Sequence, residues 1–235
     1  MRETLDKIDS PEDFIYDPSL VLYLPLYRLD GASFISRDAY GHLCTVTGAL
    51  WTPQGRSFNG VDDYINCGKL ASLNNLSAFT LIAYIYPKTA GELDSGRIFH
   101  KALDNNTSGW RWNCASISKD LYFSVDYATT VLVSRSKINF ITFNAWNLVA
   151  LTWDGSVTAA NVHQYCNGVE SSSYQTQTDG AGARVTDAGS DLLLGNTPDT
   201  TKSYDGIIGE VPIYNRVLTV AEIQNNYPAT KWRCV

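Results

Sequence analysis

Short apolar runs separated by turn residues recur along the chain, and this pattern most constrains its fold. In residues 78–87 (AFTLIAYIYP) the odd and the even positions are both mostly apolar, as in a central strand that is buried on two faces. Residues 121–127 (LYFSVDY) alternate between two sets of side chains, as in a strand with one buried face. Asn167-Gly168 is a strong hairpin signal, because a type I′ turn needs positive φ at two residues. Many short strands with turns between them predict an all-β, two-sheet antiparallel β-sandwich.

The excess of Asp over Glu and the many turn residues predict little helix. Of the 24 acidic residues, 18 are Asp and 6 are Glu, and Asp favours turns and caps where Glu favours helices. Residues 218–227 (LTVAEIQNNY) predict one short C-terminal helix, with Thr219 as the N-cap and Glu222 completing a capping box. Residues 171–191 are polar and Gly-rich, which predicts a long exposed loop.

Charge and hydropathy argue against two classes of partner. The formal net charge is −6 and the chain has no Lys/Arg run, so we expect no nucleic-acid partner. No stretch approaches the roughly 20 apolar residues of a membrane span, so we expect no membrane insertion. The first residues show no apolar core of a signal peptide. An extracellular or virion-surface location would then require another export route, a removed signal or release with a larger particle.

The chain divides into an arm and one domain. Residues 1–19 are charged and are broken by Pro11 and Pro18, which predicts an N-terminal arm outside the core. Residues 20–235 contain no repeat and no low-complexity linker, so they predict a single sandwich domain.

Five cysteines occur at wide and irregular spacings, at positions 44, 67, 114, 166 and 234. The chain has no C-x-x-C pair, which argues against a zinc site or a thioredoxin-type redox motif. Buried free thiols that pack as small hydrophobic groups are the favoured interpretation. One or two disulfides are the alternative, and the spacing does not specify their pairing.

Several strings together resemble the laminin-G-like jelly rolls of the concanavalin A-like lectin/glucanase superfamily. The matching strings are SFNGVDDYINCG (57–68), FTLIAYIYP (79–87), AWNLVALTWDG with HQYCNGVE (145–170) and YDGIIGEVPIYNRVLTVAEIQNNY (204–227). Tyr84 stands where the family usually has Trp. The resemblance covers about residues 20–228 and implies a concanavalin A-like jelly roll. It does not by itself imply a function, because this architecture hosts binding, catalytic and structural proteins.

Catalysis is not expected from the carboxylates. Glycosidases place two carboxyl groups on either side of the scissile bond, and the glucanases of this superfamily carry them as E-x-D-x-E or E-x-D-x-x-E. This chain has neither string: Glu92 and Asp94 stand two positions apart, but Gly96 and Arg97 occupy the positions of the second Glu. His163 in HQY does not match the Q-I-H string of alginate lyases. We therefore predict no catalytic residues, and a polysaccharide hydrolase or lyase is the weakest of the functional hypotheses.

Adjacent acids suggest a Ca²⁺ site as one interpretation. Asp62 and Asp63 lie in a turn-like string, Asp205 and Glu210 are further candidates, and Ca²⁺ prefers carboxylate and carbonyl oxygens. The family's closing string has Asp where this chain has Gly209, which weakens that interpretation. The favoured alternative is a hairpin tip in which the two acids are solvated or accept hydrogen bonds from nearby N–H groups.

Two aromatic pairs are candidates for stacking on sugar rings. Trp110 and Trp112 share one face of a strand, and Tyr84 and Tyr86 share one face of another. The alternative for both pairs is core packing.

The leading functional hypothesis is a non-catalytic, surface-displayed module that binds carbohydrate or a cell-surface glycan. The alternative is a structural subunit that decorates a virus particle or a similar assembly, with arm 1–19 packed against a neighbouring subunit.

Overall fold

The computed structural model describes residues 17–69, 71–103, 108–115 and 118–231. These residues form eighteen strands and one α-helix, together with three single-turn 3₁₀ helices. In chain order the strands are β1 (Leu20–Pro25), β2 (Ser33–Ile35), β3 (Leu43–Thr47), β4 (Leu50–Thr52), β5 (Gly55–Asn59), β6 (Tyr64–Asn66), β7 (Phe79–Pro87), β8 (Arg97–Lys101), β9 (Trp110–Ala115), β10 (Asp120–Val125), β11 (Leu132–Ser136), β12 (Asn147–Trp153), β13 (Val162–Cys166), β14 (Val169–Glu170), β15 (Tyr174–Thr178), β16 (Leu193–Leu194), β17 (Asp205–Ile208) and β18 (Glu210–Tyr214). The helix is α1 (Val220–Lys231).

The strands form two antiparallel sheets of nine strands each. The first sheet has the order β14-β13-β12-β7-β17-β5-β4, with β18 pairing β7 and β1 pairing β18. The second sheet has the order β15-β11-β10-β9-β8-β16-β6-β3-β2. Consecutive strands often belong to different sheets, as β3 and β4 do, so the chain repeatedly crosses the edge of the sandwich. The predicted all-β jelly roll with one C-terminal helix is confirmed.

An apolar core fills the space between the sheets. Phe79 on β7 packs against Trp110 of the opposite sheet, with ring centroids 5.0 Å apart, and against Trp153 of its own sheet at 5.1 Å. All three side chains are buried. Burying a large apolar side chain contributes about 1.5 to 3 kcal/mol, so this aromatic cluster is a main source of stability.

Strand β7 is buried on both faces, as its apolar sequence predicts. Leu81 faces the core between the sheets, whereas Ile82 and Tyr84 belong to a second apolar cluster on the outer face of the first sheet. Leu218 and Ile223, just before and within α1, complete that cluster. The C-terminal helix therefore covers part of the outer face of the first sheet.

A capping box begins α1. The Thr219 backbone N–H donates to Glu222 Oε2 (2.7 Å), and the Glu222 N–H donates back to Thr219 Oγ1 (3.3 Å). Glu222 also accepts a 2.6 Å hydrogen bond from Arg216, which in turn pairs with Asp17 at 2.8 Å. The predicted helix start is confirmed, and the helix extends four residues beyond its predicted end at 227.

The predicted arm, residues 1–19, lies mostly outside the described residues. Its last residues contact the domain, because Asp17 and Ser19 both accept hydrogen bonds from Arg216. For residues 1–16, the prediction of an arm outside the domain stays a prediction.

The prediction of a long loop over residues 171–191 is wrong in part. Tyr174–Thr178 forms β15, which pairs with β11 at the edge of the second sheet. The segment YQTQT pairs with β11, and its Thr and Tyr residues favour strands even where neither face of the strand is apolar. Its polarity reflects an edge strand that is exposed on most positions.

The hairpin between β13 and β14 has the predicted turn. Asn167 and Gly168 have φ values of 53° and 77°, so both occupy the left-handed region that a type I′ turn requires. The predicted Asn-Gly hairpin is confirmed.

Candidate functional site

The outer face of the second sheet carries a continuous row of side chains. Cross-strand pairs join Asn66 to Leu193, Leu193 to His100 and His100 to Arg111. Because neighbouring residues of a strand point to opposite faces, the row lies on the face opposite the core residues Ile65, Leu194 and Phe99. Three of these four side chains, those of Asn66, His100 and Arg111, are polar, whereas the inner face is apolar.

A cleft of about 270 Å³ opens at one end of this row. Its described lining comprises Tyr64, Asn66, Lys69, Ala102, Leu103, Gly189, Ser190, Asp191, Leu193, Thr197 and Pro198. Strands β6 and β16 form the floor, and the segments that follow β8, precede β16 and follow β16 form the walls. We call this the Asp191 cleft.

A hydrogen bond ties the floor of the Asp191 cleft to its wall. Asn66 Nδ2 donates to Asp191 Oδ2 (2.8 Å), while Asn66 Oδ1 accepts from the Gly68 backbone N–H (2.7 Å). Both side chains are therefore oriented before any ligand arrives. Tyr64, two residues before Asn66, lies on the same face of β6 and is half-buried. One aromatic ring, one amide and one carboxylate thus converge on the same cavity.

A buried lysine supports the wall that carries Asp191. Lys101 Nζ donates to the Ser190 carbonyl (2.9 Å) and to Asn74 Oδ1 (2.9 Å), and its side chain is fully buried. Burial lowers the pKa of Lys101, and nearby Asp187 and Asp191 partly oppose this shift. The Lys101 side chain thus fixes the backbone at Ser190, next to Asp191, and with it the position of this wall.

Farther along the row the polar side chains are buried. Arg111 pairs with Asp126 through two hydrogen bonds, of 2.7 and 3.3 Å, and both side chains are almost fully covered. Burial lowers the pKa of His100 to about 3, with Arg97 and Arg111 contributing in the same direction. The imidazole is therefore neutral at physiological pH. This part of the row supports the sheet and does not line the cleft.

The expectation that Trp110 and Trp112 form a stacking platform is corrected by their positions. Their side chains are 1% and 0% exposed, and they lie between the two sheets. Trp112 stacks on Phe99 with ring centroids 6.0 Å apart, and its Nε1 donates to Gln164 Oε1 (3.0 Å). Sugar rings cannot reach either indole face, so core packing, the alternative raised by the sequence, is what the structure shows.

Tyr84 and Tyr86 lie on the outer face of the first sheet, away from the Asp191 cleft. Both rings contact Trp146, with centroids 5.3 Å and 5.6 Å apart. Tyr84 is buried at 4% exposure, whereas Tyr86 is half-buried. Of these three rings, Tyr86 and Trp146 could therefore offer surface to a ligand on this face.

The candidate calcium ligands Asp62 and Asp63 shape a turn. Asp63 is buried and accepts a hydrogen bond from the Asn59 backbone N–H (2.8 Å), and burial raises the pKa of its carboxyl group. Asp62 accepts from Asn59 Nδ2 (2.9 Å). Gly48 has φ of 74°, and a Cβ there would lie 1.8 Å from Asp63 Oδ1. The two acids and Gly48 thus pack as one tight turn, which was the favoured interpretation.

The other two candidate calcium ligands, Asp205 and Glu210, also accept hydrogen bonds from protein groups. Asp205 accepts from Thr89 Oγ1 (2.9 Å), and the buried Glu210 accepts from the Tyr23 hydroxyl (2.6 Å). Among the described residues, no three or more His, Cys, Asp or Glu side chains are grouped so that they could hold a metal ion. A Ca²⁺ site at these residues stays a prediction.

The sequence did not single out the cleft residues Tyr64, Asn66, Lys69 and Asp191. Tyr64 and Asn66 alternate with the buried Asp63, Ile65 and Cys67, and this alternation is the sequence signal that could have placed them together on one outward face. Asp191 lies just before β16, more than 120 residues later in the sequence, so the pairing of β6 with β16 brings it to the same place.

Solved structures with a similar fold include a sialidase, a toxin binding domain and a neurotoxin. Trypanosoma rangeli sialidase matches with a TM-score of 0.64 at 16% identity, over 93% of this chain and 34% of that chain. The binding domain of Paraclostridial Mosquitocidal Protein 1 matches with a TM-score of 0.66 at 14% identity, over 89% and 52%. Botulinum neurotoxin type C, whose cell entry is described as dependent on two ganglioside molecules, matches with 0.64 at 15% identity, over 90% and 51%. The chain therefore spans a third to a half of these proteins, and at such identities the likeness shows the fold alone.

Family membership follows from the sequence itself. A laminin-G family model of the concanavalin A-like lectin/glucanases superfamily matches residues 59–224, well over half of the chain. No curated protein matches the sequence. Within the described residues, no helix has the length and apolar character needed to cross a membrane. The chain belongs to the concanavalin A-like lectin/glucanase superfamily.

Proposed function

We propose that this protein is a non-catalytic carbohydrate-binding module and that the Asp191 cleft holds one sugar unit of a glycan. The observation that carries the proposal is the convergence of Tyr64, Asn66 and Asp191 on one open cavity. Binding sites of this kind combine an apolar or aromatic surface with a few fixed polar groups.

The chemistry of the lining suits a sugar. An aromatic ring can pack against the C–H face of a pyranose, while amide and carboxylate oxygens accept hydrogen bonds from hydroxyl groups. Lys69 adds a donor on the same cavity. At about 270 Å³, the cleft is slightly smaller than the roughly 300 to 1,000 Å³ typical of ligand pockets, which favours a single sugar unit over a long segment.

The lining also supports a binding role over a catalytic one. Glycoside hydrolysis normally requires two carboxyl groups about 5 to 9.5 Å apart. Asp191 is the one acidic side chain in the described lining of the cleft. The only described histidine near it, His100, is buried and neutral, so it does not supply a proton donor or acceptor tuned to neutral pH.

The names of similar structures agree with this proposal. One is a toxin binding domain, and another is a neurotoxin whose cell entry is described as dependent on interaction with two ganglioside molecules. Glycan binding would suit display at a surface, which stays a prediction. A role as a virion subunit also stays a prediction, because it depends on an arm that lies mostly outside the described residues.

A glycan array tests the proposal. Wild-type protein should give reproducible hits, and Tyr64→Ala should lose them while keeping its melting temperature within a few degrees. Tyr86→Ala is the matched control, because it removes an aromatic ring from the other sheet. If Tyr86→Ala loses the hits and Tyr64→Ala keeps them, the ligand binds on the first sheet and the proposed site is wrong. An empty array at high protein concentration would contradict carbohydrate binding altogether.

A further inference from the structure

Cys44 and Cys67 lie opposite each other on neighbouring strands. Strands β3 and β6 pair with Thr45 opposite Asn66, so the next position along places Cys44 directly opposite Cys67. Both thiols are free and buried, and they are in hydrogen-bonding contact with each other. The two cysteines therefore form a cross-strand pair inside the core.

The backbone around this pair has the spacing that a disulfide needs. The Cys67 N–H donates to the Leu192 carbonyl (2.9 Å), on the side of β6 that faces away from β3. Cys44 and Cys67 therefore face each other as a non-hydrogen-bonded antiparallel pair. The Cα atoms of such pairs are about 4.5 Å apart, with the side chains close together. Disulfides join Cα atoms that are about 4.4 to 6.8 Å apart, so the strands need little movement to accept the bond.

The other described cysteines have no such partner. Cys114 on β9 faces Leu121 across the strand pair, and Cys166 on β13 faces Val149 and Val169. Cys114 and Cys166 belong to different sheets. Cys234 lies outside the described residues.

We propose that Cys44 and Cys67 form a disulfide when the chain folds in the presence of a small-molecule disulfide such as oxidised glutathione. The thiolate of one cysteine attacks oxidised glutathione, which forms a mixed disulfide and releases one glutathione. The second thiolate attacks the protein sulfur of that mixed disulfide, which forms the Cys44–Cys67 bond and releases the second glutathione. The protein loses two electrons and two protons, and the oxidised glutathione is reduced.

The bond should form during folding and not afterwards. Thiolates are the attacking species, and a thiol buried in apolar surroundings is inert. Contact with Cys44 and burial both raise the pKa of Cys67, and solvent does not reach either sulfur in the folded protein. The exchange therefore has to occur before the two sheets close. This inference is independent of glycan binding.

Counting thiols tests the proposal. The full chain, denatured and reduced, is refolded either with a reduced and oxidised glutathione couple or with reductant alone, and is then denatured and labelled with N-ethylmaleimide. Of its five cysteines, the glutathione-refolded protein should label three and the reduced protein all five. Trypsin cuts after Arg37, Arg56 and Lys69, so the linked product should contain two peptides, 38–56 and 57–69, joined by one disulfide.

Two variants act as matched controls. Cys67→Ala refolded with glutathione should label all four remaining cysteines, whereas Cys114→Ala should keep the linkage and label two. The linked protein should melt about 5 to 10 °C above its reduced form, because the bond closes the segment 44–67 in the unfolded chain. Five labels on the glutathione-refolded wild type, linkage of any other pair, or a linked protein that melts below the reduced one would overturn the proposal.

Discussion

The side-chain amide of Asn66 donates a 2.8 Å hydrogen bond to the carboxylate of Asp191, across 125 positions of the sequence. The bond joins the floor of the cleft on β6 to the wall that precedes β16. It fixes which oxygen of Asp191 is engaged by the protein and which remains available to a ligand. The Asn66–Asp191 contact therefore links the fold of the second sheet to the proposed binding site.

Replacing that amide with a carboxylate should make stability depend on pH. In Asn66→Asp two carboxyl groups would meet at the 2.8 Å contact, so the pKa of one should rise in the folded state. The loss of stability should be full at neutral pH and should disappear as the pH falls toward about 4, where the unfolded state also binds the proton. Each unit of that pKa shift corresponds to about 1.4 kcal/mol. Lys69 and Lys101 nearby should reduce the effect.

Thermal melts of wild type and Asn66→Asp between pH 4 and 8 measure this difference. Asn66→Ala is the control, because it removes the same hydrogen bond without adding charge. A melting-temperature deficit for Asn66→Asp that is constant across this pH range would contradict the predicted repulsion.

Truncating a core tryptophan should be far more damaging than truncating a surface aromatic residue. Trp112→Ala should lower the free energy of unfolding by about 3 to 5 kcal/mol, because it leaves a cavity between the sheets. It also removes the hydrogen-bond partner of the buried Gln164. Urea unfolding measures this loss, with the half-buried Tyr86→Ala as the comparison. Near-equal losses in the two variants would contradict the placement of Trp112 in the core.

Chelation should leave the stability unchanged. The carboxylates of Asp62, Asp63, Asp205 and Glu210 are already engaged by protein donors. An ion that binds only the folded state would raise its apparent stability. Melting curves with EDTA and with millimolar Ca²⁺ should therefore coincide. A higher melting temperature in Ca²⁺ that Asp62→Asn abolishes would contradict this prediction and support the calcium interpretation.

The helix cap should contribute stability that is lost in acid. Hydrogen bonds from Arg216 and from the Thr219 N–H lower the pKa of Glu222 to about 2, from 4.5 in the unfolded chain. Because the pKa is depressed in the folded state, the contribution is complete above about pH 4.5 and disappears as the pH falls to about 2. Glu222 is partly exposed, so solvent screening should keep the effect small.

Comparison of wild type with Glu222→Gln between pH 2 and 6 measures this contribution. The variant should be less stable at pH 6, and the two proteins should converge near pH 2. An equal stability difference at both pH values would contradict the role of the carboxylate charge.

The strands and the helix start could be predicted because local patterns determine them. Residues 79–87 are apolar at both odd and even positions and are rich in aromatic and β-branched residues, which is typical of a strand covered on both faces. Thr219 and Glu222 stand at the spacing of a capping box, and they form one. The edge strand β15 was predicted as part of a loop, because its sequence YQTQT lacks the alternation of apolar and polar residues that indicates a strand. As an edge strand it pairs with β11 on one side, and most of its side chains are exposed.

The location of the site could not be predicted from the sequence. Periodicity showed that Trp110 and Trp112 share one face of a strand but not whether that face is the core or the solvent. Tyr64, Asn66 and Asp191 meet only because β16 pairs with β6 and β8, which is a long-range choice of strand order. Such choices depend on the packing of the whole sandwich, so no short segment reveals them.

The central claim is that a glycan binds in the Asp191 cleft, and calorimetric titration of the strongest glycan from the array tests it most directly. Asp191→Ala should weaken binding about tenfold or more, since a lost hydrogen bond to a charged group removes about 1.5 to 3 kcal/mol. Tyr86→Ala, on the other sheet, should bind as tightly as wild type, and both variants should keep the wild-type circular dichroism spectrum. If correctly folded Asp191→Ala binds the glycan with wild-type affinity, the cleft is not the binding site.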